Sequence, residues 1–230
     1  MTPSLLERLR AVDTPTVCNA IEVVQGGRGF RNHTLRAMQH SDPGAVVVGQ
    51  ARTAKIAGVE PATEDPEVIA ARRARYYRNM AAGDGPTIAV VEDVDGEAAL
   101  AGWWGEVHTA VHKGLGMAGA VTNGVMRDLD VMAENFPVLA GSIGVSHGFV
   151  HVREVGTPVE IFGMHVRDGD WVHADRHGAL VIPNDALAEL EAGIDTVIRN
   201  EAIILDAVRA PGFDIEALER AWETFGRVRT

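Results

Sequence analysis

The chain has 230 residues, of which 46% are hydrophobic, 23% charged and 5% aromatic, a balance that suits one packed core and excludes a disordered or fibrous protein. Its formal net charge of −11 and sequence pI near 5.2 repel phosphate backbones, so no nucleic-acid partner is expected. A single cysteine, Cys18, excludes an internal disulfide, and no apolar run reaches the ~18 residues of a bilayer span, so no membrane partner is expected either.

The first residues lack the apolar core of a signal peptide, which points to the cytoplasm. Two short helices are expected over residues 1–24, where Asp13-Thr14-Pro15 supplies a cap followed by a first-turn proline. Cys18 lies among Val17, Ala20 and Ile21 and reads as a buried structural thiol. The turn Gly26-Gly27-Arg28-Gly29 lacks the Gly-Lys-Ser/Thr ending of a phosphate loop. Residues 45–57 read as a strand, and Pro66 opens a helix to about residue 82. That helix carries Arg72, Arg73, Arg75 and Arg78, a basic run best explained as a solvated face.

Residues 87–94 read as a continuous apolar strand, 98–114 as a helix and 117–122 as a third strand, an alternation that predicts an α/β fold. A short helix is expected from Asp128 to Asn135, then a brief strand over 137–140. From His151 to Pro183 strands and turns crowd together. Asp168-Gly169-Asp170 and Asp175-Arg176-His177-Gly178 separate strands at 160–166, 171–174 and 179–182. Helices at about 184–208 and 214–225, broken at Pro211-Gly212, close the chain. With no repeat or linker, residues 1–230 are expected to form a single domain with N-terminal helices and a C-terminal helical tail.

Chemistry concentrates in Gly102-Trp103-Trp104-Gly105-Glu106 and Asn123-Gly124-Val125-Met126-Arg127-Asp128. Helix N-termini and the carboxyl ends of strands gather anions in open α/β folds, because unpaired N–H groups point there. Arg127 offers a forked, permanent cation for a carboxylate, and Asp128 a hard oxygen ligand for Mg²⁺ or Mn²⁺. Together they suit a 2-oxo acid, whose carboxylate binds the arginine and whose ketone oxygen meets the metal. The plainer alternative is that Asp128 caps the helix containing Leu129, Val131 and Met132, with Glu106 a favourable first-turn charge.

These segments resemble the family that joins the metal-dependent 4-hydroxy-4-methyl-2-oxoglutarate aldolases to the RraA-like regulators of ribonuclease. The similarity runs through Leu9–Val17, Val48–Thr53, Gly105-Glu106, Gly119–Asp128, Asp168–Asp175 and Gly178–Pro183. The aldolases of that family carry an Asp, twenty intervening residues and Arg-Asp; here Glu106 holds the first position, with twenty residues before Arg127. The resemblance implies a compact α/β/β sandwich, of the swivelling phosphohistidine-domain-like type, assembled as a homotrimer or homohexamer with sites near subunit interfaces. It also implies that Asp128, supported by Glu106, holds the metal and that Arg127 binds the substrate. The backbone N–H groups of Val107 and His108 would hold the pyruvyl carboxylate, with Gly105 and Asn123 completing the substrate-binding set.

The histidines fit that pattern least. His147 and His151 are four apart and would share one face of a strand, either as acid–base groups or as ordinary satisfied imidazoles. His108 and His112 are also four apart, but lack the glutamate of a zinc-protease helix. Gly114-Leu115-Gly116-Met117-Ala118-Gly119 matches a dinucleotide fingerprint by letters only, since it leads from helix into strand. The expectation is a divalent-metal lyase that cleaves a C–C bond of a small anionic hydroxylated 2-oxo acid, with oxaloacetate decarboxylation as a side activity. Arg127, Glu106 and His147 are its candidate catalytic side chains. The alternatives are a non-catalytic regulator of a protein partner and a metal-dependent hydroxy-acid dehydratase.

Overall fold

The computed structural model describes residues 1–228. The chain opens with α1 (Pro3–Arg10) and α2 (Thr14–Gln25), and Asp13 caps α2 by accepting from the Thr16 N–H at 2.9 Å. Gly26 ends α2 at φ 68°, a left-handed conformation that glycine adopts without penalty. Cys18, expected to be buried, is only half-buried. The strands β1 (Gln39–His40), β2 (Val47–Ala57) and β3 (Thr87–Asp93) then surround α3 (Pro66–Met80) in the expected alternation.

The helix expected over 98–114 divides into strand β4 (Gly102–Trp104) and a shorter α4 (Glu106–Gly114). Trp103 and Trp104 are both buried and suit extended backbone, while the flanking glycines disfavour a helix by about 1 kcal/mol each. After β5 (Met117–Thr122) and β6 (Val125–Met126), the helix expected to Asn135 is only a 3₁₀ turn at Leu129–Val131, because Asp128 and Asn135 both take positive φ. Next come β7 (Val138–Ala140), β8 (Ser142–Ile143) and β9 (His151–Val155). The strand expected at 160–166 is a hairpin of β10 (Val159–Ile161) and β11 (Met164–Val166), turned at Phe162 and Gly163 with φ 48° and 89°. The chain ends with β12 (Trp171–Asp175), β13 (Gly178–Ile182), α5 (Leu190–Arg209) and α6 (Ile215–Val228).

The main sheet runs β1-β7-β5-β3-β2-β12-β13, with β9 also on β2. β2, β3, β5 and β7 are mutually parallel, whereas β12 and β9 pair antiparallel with the two halves of β2. One long strand therefore bridges two partners, with a register shift between Lys55 and Ile56, and the sheet curls. Along β2 the side chains alternate. Val48, Ala54 and Ile56 face the helices, through Leu9, Val17 and Ile21 at one end and Tyr76 and Met80 at the other. Val47 and Ala51 face the β10–β11 hairpin through Val159, Ile161, Met164 and Val166. Helices on one face and a β layer on the other make the α/β/β order. Each fully buried Ile or Leu in these layers contributes roughly 1.5–3 kcal/mol. No described helix is long and apolar enough to cross a membrane.

Candidate functional site

β4, β6 and β8 form a separate small parallel sheet, and it positions Arg127 and Asp128. The Arg127 N–H donates to the Trp104 carbonyl at 2.8 Å, which sets the chain leaving β6 beside the start of α4. Two glycines make the close approach feasible. A Cβ on Gly102 would stand 2.8 Å from Arg127 Cδ, and one on Gly105 would stand 2.5 Å from Asp128 Oδ2. Asp128 holds φ 58°, ψ 38°, and its side chain caps nothing in the 3₁₀ turn that follows. Instead Oδ2 accepts from the Glu106 N–H at 3.4 Å, and Oδ1 pairs with Arg127 Nη1 at 3.0 Å. Arg127 Nε is buried without a partner among the described residues. The Val107 and His108 N–H groups lie in the unpaired first turn of α4, where partial positive charge favours an anion.

Behind this corner lies an aromatic and imidazole layer. The fully buried His112 accepts from or donates to Tyr76 Oη through Nε2 at 2.6 Å, and its Nδ1 pairs with the His108 carbonyl at 2.6 Å. Since a carbonyl only accepts, Nδ1 carries the proton and Nε2 accepts from Tyr76. Trp103 Nε1 donates to the same Tyr76 oxygen at 3.3 Å. The His108 ring sits 4.0 Å from that of Trp103 and stacks at 6.4 Å on Tyr77. Burial pushes both imidazoles down to about 4, so both are neutral at pH 7. Thr109, fully buried, donates to the Gly105 carbonyl and accepts from the Ala133 N–H, tying the turn after Asp128 to α4.

Of the residues singled out from sequence, Gly105, Glu106, Val107, Arg127 and Asp128 come together. His108 joins them through its backbone, while its ring turns back between Trp103 and Tyr77. His147 and His151 do not share a strand: His147 lies exposed in the loop before β9, and His151 begins β9 and is buried. Gly148 at φ 50° bends the chain between them. The His147 loop still touches the site, because the Ser146 carbonyl accepts from the Gly102 N–H at 2.7 Å. Tyr76, Tyr77 and Thr109 were not marked by any motif; only contacts across elements reveal them.

Among the described residues no group of three or more His, Cys, Asp or Glu is arranged to hold a metal. The donor set offered is Asp128 with Glu106 close by. It fits Mg²⁺ or Mn²⁺, which keep several waters and take one or two carboxylates plus substrate oxygens, and does not fit a closed zinc cage. The Gly105 cradle, which a Cβ would fill, leaves Asp128 accessible to such an ion.

Asn123 stands apart from the cluster in its bonding. Its amide oxygen accepts from the Asp93 N–H at 2.7 Å and its NH₂ donates to the Asp93 carbonyl at 2.9 Å, cross-linking the ends of β3 and β5. The Asp93 side chain is 1% exposed, Oδ2 has no partner, and burial pushes its carboxyl up to about 6. A native pKa above the ordinary 3.8 means that this group favours the fold at low pH and loses that contribution as pH rises through 6. Asp93→Asn is therefore expected to raise the urea-unfolding free energy at pH 7.5 by about 1–2 kcal/mol, with the gain vanishing near pH 4. No gain at pH 7.5 would show that Asp93 carries no buried charge.

The RraA-like family profile, described as Aldolase/RraA, matches residues 14–181. A Halalkalibacterium halodurans protein with the provisional name 4-hydroxy-4-methyl-2-oxoglutarate aldolase is 25% identical over 218 residues, covering 94% of this chain and 87% of that protein. Protein DlpA of Legionella pneumophila is 35% identical over 92 residues, but that match spans 38% of this chain and only 15% of DlpA. The crystal structure of Streptomyces coelicolor RraAS2, an unusual member of the RNase ES inhibitor RraA protein family, superposes with a TM-score of 0.65 at 23% identity. It covers 99% of this chain and 97% of that one, a likeness of fold.

Proposed function

Because the chain belongs to the RraA-like family, we propose that it is a cytoplasmic, divalent-metal-dependent lyase that cleaves a C–C bond of a hydroxylated 2-oxo acid and releases pyruvate or a related oxo acid. The observation that carries this reading is the Arg127-Asp128 pair, set against the bare backbone of Gly102 and Gly105 at the start of α4, with Asp128 held at positive φ. A left-handed non-glycine residue costs of order 1–3 kcal/mol, and such strain concentrates where geometry serves chemistry.

Asp128, supported by Glu106, would hold Mg²⁺ or Mn²⁺, which when bound supplies Lewis acidity toward the 2-oxo oxygen. Arg127 orients the substrate and stabilises negative charge developing on that oxygen as the C–C bond breaks. The free N–H groups of Val107 and His108 take the substrate carboxylate, and Gly105 leaves it room. His147, whose Nδ1 is engaged with the Gly148 carbonyl, keeps Nε2 free to move a proton. Loss of carbon dioxide from oxaloacetate develops charge on the same oxygen, so decarboxylation is the expected side activity. A homotrimer or homohexamer would place a neighbouring subunit over the exposed Val107, Leu129 and Val131 that border the site.

The test is pyruvate release from 4-hydroxy-4-methyl-2-oxoglutarate and from oxaloacetate, with Mg²⁺, with Mn²⁺ and with EDTA. Metal-dependent release is expected from both. Turnover that survives EDTA overturns the mechanism, and a dehydrated product in place of pyruvate replaces it with the dehydratase. Failure to turn over any oxo acid, together with tight binding to a ribonuclease or helicase, replaces it with the regulator.

A further inference from the structure

We infer that His112 is a positioning residue of this site: Tyr76 orients its ring, and through the His108 carbonyl it fixes the turn of α4 whose Val107 and His108 N–H groups receive the substrate carboxylate. This role presupposes the carboxylate site proposed above and deepens that reading.

Three elements distant in the chain supply a head-to-tail series of hydrogen bonds. Trp103 Nε1 of β4 donates to Tyr76 Oη of α3 at 3.3 Å, the Tyr76 hydroxyl donates to His112 Nε2 at 2.6 Å, and His112 Nδ1 donates to the His108 carbonyl at 2.6 Å. Every donor in the series points the same way, so each bond polarises the next, and the last falls on the backbone of α4. It falls on the peptide between His108 and Thr109, whose N–H donates to the Gly105 carbonyl at 3.0 Å. Both sides of that peptide are therefore held, one by the imidazole and the other by the glycine against which Asp128 packs. The N–H groups of Val107 and His108 lie within the turn so closed.

α4 is nine residues long, too short to hold its own ends by the helix ladder alone. The His112 ring that braces it is fully buried, enclosed by the rings of Tyr76, Trp104 and Phe136 with centroids 5.5, 4.8 and 6.3 Å away. A leucine would pack among those rings without needing a partner, and apolar groups of the same bulk throughout would serve the fold about as well as the buried polar series. What an apolar residue cannot do is hold a carbonyl in a defined direction. Substrate binding needs that definition, because a misplacement of about 1 Å can cost on the order of 10²-fold.

Calorimetric titration of the full chain with pyruvate, with Mg²⁺ present, separates positioning from a purely structural role. Loss of fold lowers the fraction of chains that bind and leaves the Kd of the remainder unchanged, whereas a misplaced turn raises Kd at full stoichiometry. Tyr76→Phe and His112→Leu are each expected to raise Kd about tenfold with stoichiometry kept. His112→Asn, whose amide NH₂ stands close to the position of Nδ1 and can donate to the His108 carbonyl, should recover part of that loss. Ile21→Ala, in the separate core shared by α1, α2 and α5, should lower the melting temperature without moving Kd. The inference is overturned if Tyr76→Phe and His112→Leu bind with the wild-type Kd, if His112→Asn binds no better than His112→Leu, or if Ile21→Ala raises Kd equally. It falls together with the carboxylate site if the wild type binds no pyruvate. Failure of the lyase reading shows separately, as absence of C–C cleavage while pyruvate binding and its dependence on His112 persist.

Discussion

Asp128→Asn is expected to lower kcat/KM for pyruvate release by about 10³-fold or more while leaving the fold intact, because it removes the negative charge and little else. Asparagine is the informative substitution at this position. Asp128 sits at φ 58°, a conformation that asparagine tolerates far better than alanine, and an amide oxygen can still accept from the Glu106 N–H. What an amide cannot provide is a carboxylate for a hard divalent cation or a negative charge for the Arg127 guanidinium. Both losses fall on the same step. Arg127→Ala should fall by about 10²–10³-fold, with the larger part in kcat if the guanidinium meets charge that develops only as the bond breaks. Thermal melting measured alongside the kinetics should move by no more than a few degrees for Asp128→Asn. If that variant keeps a tenth of wild-type activity, the Arg127-Asp128 corner is not the reaction centre.

Stability is expected to fall by several kcal/mol between pH 6.5 and pH 4, driven by imidazoles that the fold keeps neutral. The pKa of His112 drops from the ordinary 6.5 to about 4 through burial, and that of the partly exposed His108 drops to about 4 for the same leading cause. A depressed native pKa means that the unfolded chain binds the proton more readily. The stabilising contribution is therefore complete above pH 6.5 and is lost as pH falls toward 4. For the fully buried His112 that loss amounts to about 3 kcal/mol. His173, also driven down by burial, adds in the same direction, whereas Asp93 opposes it between pH 6 and 4. Urea unfolding followed from pH 8 to pH 4 reads the slope. His112→Gln should cost about 2 kcal/mol at pH 8, where the Tyr76 hydroxyl loses a well-placed acceptor, and should flatten the slope. A wild-type profile level from pH 6.5 to pH 4 would rule out the buried neutral imidazole.

The physical limits of the sequence show at particular residues. Apolar alternation along β2 and the cap at Asp13 depend on neighbours in the chain, and both elements form where expected. The helix expected over 98–114 fails because Trp103 and Trp104 are claimed by the core beside Tyr76 and Phe136, a tertiary demand that overrides a helical pattern interrupted by glycine. Asn123, four residues before Arg127, appears from spacing to belong with it, yet its amide is drawn to the end of β3 by a strand that is distant in the chain. His147 and His151 separate for a comparable reason, since Gly148 takes a positive φ that no strand accommodates.

Sequence by itself determined the alternating α/β pattern and the family resemblance and singled out Arg127, Asp128 and Glu106 as candidates, because these reside in local periodicity and in motif order. Only the tertiary structure decided how that pair is held. The close approach that puts Asp128 Oδ2 2.5 Å from where a Cβ on Gly105 would stand, the turn of Asp128 toward the start of α4, and the stacking of Tyr77 on His108 all arise between segments far apart in the chain. Their geometry depends on the curl of the sheet and on helix packing, and neither has a signature in the residues of the site itself.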